Sequence, residues 1–383
     1  MPTLMHDDPL DDEEEEEPPR NIGRVVFGPR EFDTWYHSSA YYFSQKDELK
    51  KLTWKRAMAL MEAKALDKDK DNHTCDMSRL FIERYSSPSV GTPGGTSSAL
   101  TSSTISSSGS SANASVAPND QPPAQVDFQV KQLFVCDSCF KYSKVSKDMA
   151  QHRSTCKYVF KHPGETVYKS KDYAIRRVDG AVHKLYCQNL CLFAKLFLDH
   201  KSVFFGADAF EFYVVLGKDT ASSRHFKPMG FFSKEKLSWD ENNLACILVF
   251  PPYQRRGLGK LLIEFSYVLS KYEGRKGSPE RPLSKFGTLS YMSYWCTTIA
   301  RFILIECTED VITIETISEH TYIQPEDVMR ALKEMHAVVL YSDEKAKKVQ
   351  LGGRVLKKSV RRWVNSGNVK LSPVIDESMV FLE

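Results

Sequence analysis

The sequence predicts an α+β fold, on three observations. Three apolar runs of strand length, residues 210–217 (FEFYVVLG), 227–235 (KPMGFFSKE) and 243–250 (NLACILVF), succeed one another with short connections, as in an antiparallel sheet. The last of them enters a basic glycine turn, QRRGLGK, and then KLLIEFSYVLSKYEG, where Leu261, Leu262, Phe265, Val268 and Leu269 recur at helical spacing. A cysteine and histidine module stands ahead of the sheet. Behind it, a helix opening at Pro325 with Val328, Leu332 and Met335 on one face precedes two strand candidates, a winged-helix-like order.

Composition divides the chain. Residues 1–20 hold nine acids against one arginine, so the remainder carries 51 bases against 40 acids and is basic. This first stretch is expected to be a disordered acidic tail. Residues 21–45 form a patterned amino-terminal segment. A charged stretch of helical composition (46–71) and a serine tract (86–125) make residues 46–127 an insertion that is largely disordered, because the tract has too few large apolar side chains to offset its ordering entropy. Residues 128–165 hold the metal-type module, 166–320 the core and 321–383 the carboxyl-terminal subdomain. Apolar runs are broken by charge well short of the roughly 20 residues that span a bilayer, and the acidic start does not resemble a signal peptide. The expectation is a soluble intracellular protein without a membrane partner. Nine cysteines, three of them in one cluster, argue against a disulfide framework.

Cys136, Cys139, His152 and Cys156 are spaced Cys-x2-Cys-x12-His-x3-Cys. Four such ligands can close a tetrahedral zinc site with no open position, so the ion would be structural. The first pair would sit on a hairpin turn and SKDMAQHRSTC would be a short helix. A single finger of this kind supplies little nucleic-acid affinity alone and more often pins a domain together.

Next, AIRRVDGAVHKLY suggests a hairpin around Asp179-Gly180. In QNLCLFAKLFLDHK, Leu190, Phe193, Ala194, Phe197 and Leu198 form a buried helical stripe, and Cys187 and Cys191 are assigned to core packing. Lys201 closes that helix among apolar neighbours. In the glycine turn, Gly257 and Gly259 let backbone approach a ligand, and the first amides of the helix, with Arg255, Arg256 and Lys260 nearby, suit an anion such as a pyrophosphate. The spacing is neither the P-loop nor the dinucleotide fingerprint, and alone it also describes an ordinary basic turn.

Taken together, NLACILVFPPYQRRGLGKLLIEFSYVLS, GSPERPLS, FAKLFLDHK, the zinc knuckle and the amino-terminal pattern of Asn21, Ile22, Gly28, Glu31, Trp35, Tyr36 and Ser38 resemble the MYST family of histone acetyltransferases. The similarity covers residues 21–43 and about 128–345. Within the family, FSKEKLSWDENNLACI is most similar to the fungal something-about-silencing branch, and the insertion at about 45–127 is a departure.

This resemblance implies a GNAT-like acetyltransferase core with an amino-terminal C2HC zinc finger and a carboxy-terminal helix-turn-helix-like subdomain, binding acetyl-CoA. Pantetheine would run along the backbone of Ile247, Leu248 and Val249. The pyrophosphate would rest on Gln254, Arg255, Arg256, Gly257, Leu258, Gly259 and Lys260, with further cofactor contacts at Ser284 and Ser293. Glu280 matches the family's general base, although on pattern alone it is a loop glutamate. The chemistry needs such a group, since a lysine amine is about 99.9% protonated at pH 7. Cys246 matches the cysteine beside the thioester, either as an acyl acceptor or as a wall of the pocket with direct attack by the amine; we favour direct attack. Lys201 matches the lysine that becomes autoacetylated. The implied activity is acetyl transfer to a histone-tail lysine, histone H4 first, on nucleosomes in the nucleus, with accessory subunits and with indirect DNA contact. The alternatives are a catalytically weak chromatin scaffold and a zinc-dependent DNA-binding factor.

Overall fold

The structure, a computed structural model, describes residues 20–38, 41, 130–198, 206–219, 225–308, 312–340, 353–367 and 369–382. The chain divides into two units, one formed by Met1–Tyr41 with Asp127–Glu383 and the other by Tyr42–Val126. The second unit, with the helical stretch at 46–71 and the serine tract, lies outside the described residues, as does the acidic tail up to residue 19.

Helix and sheet are mixed in the first unit. Its main sheet joins β5 (Glu165–Lys169), β6 (Tyr173–Asp179), β7 (Phe210–Lys218), β8 (Phe226–Glu235) and β10 (Cys246–Val249) in the order β10-β8-β7-β6-β5. Every neighbouring pair is antiparallel. The middles of β7 (212–217) and β8 (228–234) are buried without alternation because both faces are covered. On one face Tyr213 stacks on Phe232 and lies 5.9 Å from the ring of Phe265 of α3 (Leu258–Tyr272). On the other, Phe231 meets Phe250, which packs 5.1 Å from Phe193 of α2 (Lys184–Lys195).

One local expectation fails. β6 ends at Asp179, and the chain then turns into α2 instead of a second strand of a hairpin. The Asp179 carboxylate accepts hydrogen bonds from the amides of Ala181 and Val182, and its carbonyl accepts from His183. That local closure starts a helix rather than a ladder. The buried stripe of Tyr186, Cys187, Leu190, Phe193 and Ala194 then holds it.

A second sheet, β2-β1-β3-β4, joins the amino-terminal segment to the cysteine module. β1 (Ile22–Phe27) pairs in parallel with β3 (Val130–Val135), while β2 (Arg30–Asp33) and β4 (Tyr142–Ser143) flank them and α1 (Ser146–Thr155) follows. Phe27, Phe140, Phe193 and Phe250 form one aromatic cluster, with Phe27 4.8 Å from Phe193 and 5.7 Å from Phe250. Through it the cysteine module, α2 and the end of β10 share a core.

Two short strands, β9 (Asn242–Leu244) and β11 (Ser278–Pro279), pair in parallel beside α3. The carboxyl-terminal part contains α4 (Lys285–Arg301), which continues into a π-helical turn at Phe302–Glu306, then α5 (Ile314–Thr321), α6 (Pro325–Glu334), β12 (Val338–Leu340), β13 (Gly353–Val355) and α7 (Lys357–Gly367). As the spacing predicts, α6 buries Val328 and Leu332, with Met335 just beyond its end. Trp295, Ile299, Ile317 and Val360 belong to the same core.

Residues 374–381 strap this part back onto α3. Glu264 of α3, only 7% exposed, accepts from the amides of Val374 and Ile375 at 2.7 and 2.8 Å through a single oxygen. Lys271 pairs with Glu377, and Phe381 donates its amide to Val167 of β5. Burial pushes the Glu264 carboxyl above its ordinary range, so the folded state holds its proton more tightly than the unfolded chain. The stabilising contribution is therefore greatest below the unfolded carboxyl value and is lost as pH rises through the folded one. Glu264→Gln, which keeps the accepting oxygen, is expected to gain stability over the parent protein at neutral pH, the difference vanishing toward pH 4. Glu264→Ala is expected to lose about 2 kcal/mol at acidic pH, because two strap amides lose their acceptor, and less than that toward neutral pH, where the parent itself has lost part of the Glu264 contribution. Urea denaturation across pH checks both, and a glutamine variant that weakens with rising pH would contradict the assignment.

Candidate functional site

The glycine turn lies where the edge strand of the main sheet runs into its longest covering helix. Among the described residues, β10 pairs with β8 along one edge only. Its side chains alternate, with Cys246 and Leu248 buried and Ile247 and Val249 partly open. Phe250 and the turn Pro251–Tyr253 carry the chain to Gln254, whose side-chain amide donates back to the Val249 carbonyl at 3.0 Å. Arg255 and Gly257 both take left-handed backbone, at φ +62° and +79°. The glycine relieves the second of these strains, and a Cβ there would meet nothing within 4 Å, so space lies open over the turn. Gly257 is also the residue before α3, and among the described residues no side chain caps the helix. Uncapped amides and the positive end of the helix dipole thus face an open, basic turn, the arrangement that holds a phosphate.

Tyr253 braces this turn. Its buried ring has the Arg30 guanidinium 5.3 Å from its centroid and that of Arg256 at 5.4 Å. Arg30, from β2, also pairs with Asp219 at the end of β7. Burial pushes the Tyr253 hydroxyl up to about 12, so it stays neutral. Sequence reading passes over Arg30 because its partners lie 189 and more than 200 residues away.

Cys246 and Glu280 flank the same short stretch of chain. The strand bends at Ala245, between β9 and β10, where Ser233 of β8 takes the Ala245 amide with its carbonyl and the Cys246 amide with its hydroxyl. The Glu280 amide donates to the carbonyl of Leu244 at 2.8 Å, two residues before Cys246. Cys246 is 7% exposed, and the Glu280 side chain is partly open.

The Glu280 loop is held from behind by Asp327 of α6. This fully buried carboxylate accepts from the Ser278 hydroxyl at 2.8 Å and pairs with Arg281. Burial holds its proton affinity above the ordinary carboxylate range, and these two partners counter that only in part. Asp327 looks from sequence like an ordinary first-turn acid, so its role is visible only in the fold. On the other side, Asn243 donates to Ser270 of α3 at 3.1 Å, and Gly277 lies so close that a Cβ would meet the Asn243 amide at 2.3 Å.

Ser284 and Ser293 lie along α4, which packs beside α3. Both are exposed, and the Ser284 hydroxyl caps α4 by accepting from the Gly287 amide at 3.0 Å. Lys201 lies outside the described residues.

Cys136 and Cys139 occupy the turn between β3 and β4, His152 lies in the last turn of α1, and Cys156 directly follows that helix. Their ligand atoms lie within 4.8 Å of one another, with the sulfurs of Cys136 and Cys156 3.9 Å apart and the Cys139 sulfur 3.2 Å from His152 Nε2. A tetrahedron with Zn–S bonds of about 2.3 Å has edges of about 3.8 Å, so the cluster fits zinc. Hydrogen bonding from Cys139 draws Cys136 down to about 5 and raises Cys139 itself. A divalent cation supplies the charge that lets all three sulfurs be thiolates at once. Asp137, buried between the ligands, joins the module to the sheet by ion pairs to Lys227 of β8 at 2.7 Å and Arg153 of α1 at 3.5 Å. Gly28 makes room for it: a Cβ there would meet the carboxylate at 2.4 Å.

A model of the MOZ/SAS family matches residues 161–378. The chain is 49% identical over 209 residues to a protein of Saccharomyces cerevisiae named histone acetyltransferase SAS2, an alignment covering 54% of this chain and 60% of that one. It is 44% identical over 210 residues to histone acetyltransferase MOF of Drosophila melanogaster, covering 55% of this chain and 25% of the relative. With histone acetyltransferase KAT6B of Homo sapiens it shares 42% identity over 217 residues, 57% of this chain and 10% of that protein. The chain thus spans less than two thirds of the length of each of these relatives.

Proposed function

The chain belongs to the MOZ/SAS family, and from that premise we propose that it transfers acetyl from acetyl-CoA to a histone-tail lysine, with histone H4 the first tail to test, in the nucleus and together with accessory subunits. The observation that carries the reading is the bond of the Glu280 amide to Leu244, two residues before Cys246, which ties the Glu280 loop to the head of the strand that runs into the uncapped glycine turn. Pantetheine would lie along the open edge of Ile247, Leu248 and Val249. The pyrophosphate would sit on the amides from Gln254 to Lys260, with Arg255, Arg256 and Lys260 meeting its charge and Ser284 and Ser293 adding contacts from α4. Zinc would be held by Cys136, Cys139, His152 and Cys156 as a structural ion, and the carboxyl-terminal elements would form a helix-turn-helix-like subdomain.

Acetyl-CoA supplies an acyl carbon activated as a thioester. The chain's own residues must then prepare the amine. Glu280 would take one proton from the substrate ammonium; as the freed amine bonds to the acyl carbon and the carbon–sulfur bond breaks, the nitrogen's surplus proton would pass to the departing coenzyme A thiolate, which leaves as the thiol. Hydrogen bonds from Ser278 and Arg281 to Asp327 hold the Glu280 loop in place for that transfer. Leu248 and the buried side of β10 exclude water from the thioester.

Direct attack needs both substrates bound together. Initial-rate lines should intersect, and Cys246→Ala should retain at least about a third of the activity, because it removes only packing beside the thioester. A Cys246-linked acetyl group formed without peptide, and passed on at the rate of turnover, would overturn the direct route. Labelled acetyl-CoA with a panel of histone peptides tests the reading as a whole. Incorporation into a histone lysine is expected, and cofactor binding with no transfer to any tail would favour a scaffold.

A further inference from the structure

We infer that the turn between β8 and β9 reads the flank of the acceptor peptide, selecting substrates with arginine or lysine side chains about four or five residues from the lysine that is acetylated. Leu237 and Trp239 stand on this turn 89% and 100% exposed, more than any other large apolar side chain among the described residues. A tryptophan carries about 150–250 Å2 of surface, and left wholly in water it marks a place for a partner. The turn holds it in a fixed position. The Glu241 amide donates to the Ser238 carbonyl at 3.4 Å, the Asn242 amide donates to the Ser238 hydroxyl at 3.1 Å, and Glu241 takes left-handed backbone at φ +54°. At the base of the turn the Lys236 amide donates to the Ala209 carbonyl, and the Lys236 ammonium pairs with Asp179 at 2.9 Å.

The charge of the turn is opposite to that of the body. Beyond residue 20 the chain carries 51 bases against 40 acids, yet residues 235–241 hold Glu235, Asp240 and Glu241 against Lys236 alone. Lys236 is held by Asp179, and among the described residues none of the three acids pairs with a cation. An indole face beside unpaired carboxylates suits a cation on an aliphatic stem. The charge lies over the ring and against an acid while the methylenes cover Leu237. A neutral or acidic partner would leave all three carboxylates unmet.

Position makes the substrate peptide that partner. The turn runs directly into β9, which pairs with β11; Glu280 follows β11 and bonds through its amide to Leu244 at the end of β9. Trp239 comes five residues before Leu244, so at about 3.3 Å per residue it stands within about 17 Å of the Glu280 loop. About five residues of extended peptide cover that span. The acetyl-transfer reading supplies the acceptor lysine on which this selection rests, and the turn decides which lysines are accepted.

The test is fluorescence anisotropy of two labelled peptides of about 15 residues with the full zinc-loaded chain and coenzyme A. Each peptide has one central lysine; the first carries arginine four and five positions to either side, and the second carries glutamine there. The parent should bind the arginine peptide more tightly. Trp239→Ala should weaken that peptide about three- to tenfold and leave the glutamine peptide unchanged, while Trp239→Phe should recover part of the loss. Asp240→Asn with Glu241→Gln should reduce the salt dependence of arginine-peptide binding. Phe160→Ala, which removes an 80% exposed aromatic of the zinc module, should change neither affinity. In transfer assays the Trp239→Ala loss should fall on the KM of the arginine peptide, with kcat and the KM of acetyl-CoA unmoved. Binding that depends on Trp239 without transfer to either peptide would support the role of the turn and count against the acetyl-transfer reading. Equal affinity of the parent for the two peptides, equal losses for both in Trp239→Ala, or no loss for either would overturn the inference.

Discussion

Replacing Cys139 by serine is expected to yield an aggregated or unfolded protein rather than a slower enzyme. Structural zinc contributes about 10 to 16 kcal/mol in small metal modules, as much as a whole domain's net stability of about 5 to 15 kcal/mol. The loss cannot stay local. Cys139 shares its turn with Asp137, which ties β8 through Lys227, and β3 is the parallel partner of β1. The same turn ends in Phe140, which lies against Phe250 at the mouth of the glycine turn. Circular dichroism, size exclusion and zinc content of the variant check this, as does chelation of the parent protein. A soluble, cooperatively folded, zinc-free variant with full activity would rule out a structural ion.

What the sequence made legible is local. The Cys-x2-Cys-x12-His-x3-Cys spacing, the stripe of α3 and the left-handed glycine at the helix entrance each depend on residues within about one turn or one hairpin of each other, and spacing encodes such geometry directly. The failure at Asp179-Gly180 is also local: the dipeptide suits a hairpin, but a carboxylate that closes on its own following amides, ahead of a helical apolar stripe, starts a helix. What remained hidden is long-range. Arg30 reaches Asp219 and Tyr253, Asp137 reaches Lys227, and Asp327 reaches Ser278 and Arg281 from the next subdomain. Periodicity carries no information about such partners. Nor does it give the parallel register of β1 with β3, which joins strands separated by more than 100 residues. The role proposed for Glu280 rests on resemblance alone, since a partly open loop glutamate has no local signature.

Glu280→Gln should leave acetyl-CoA binding within about twofold of the parent and slow transfer by roughly 10² or more near neutral pH. The amide keeps the size of the side chain and the backbone hydrogen bond to Leu244, so the loop held by Asp327 should not move. Only proton acceptance is removed. The substrate ammonium has an ordinary value of about 10.4, and its neutral fraction rises tenfold per pH unit below it. Transfer by the variant should therefore climb with pH toward 10 and recover much of the deficit where the amine deprotonates unaided. Asp327→Asn supplies the contrast. If Asp327 only positions the loop, its variant should lose rate by a factor that is the same at every pH, because the base remains but is misplaced. Parallel profiles for Glu280→Gln and the parent, with an equal deficit from pH 6 to 10, would remove Glu280 from the role of base and leave it a wall of the substrate groove.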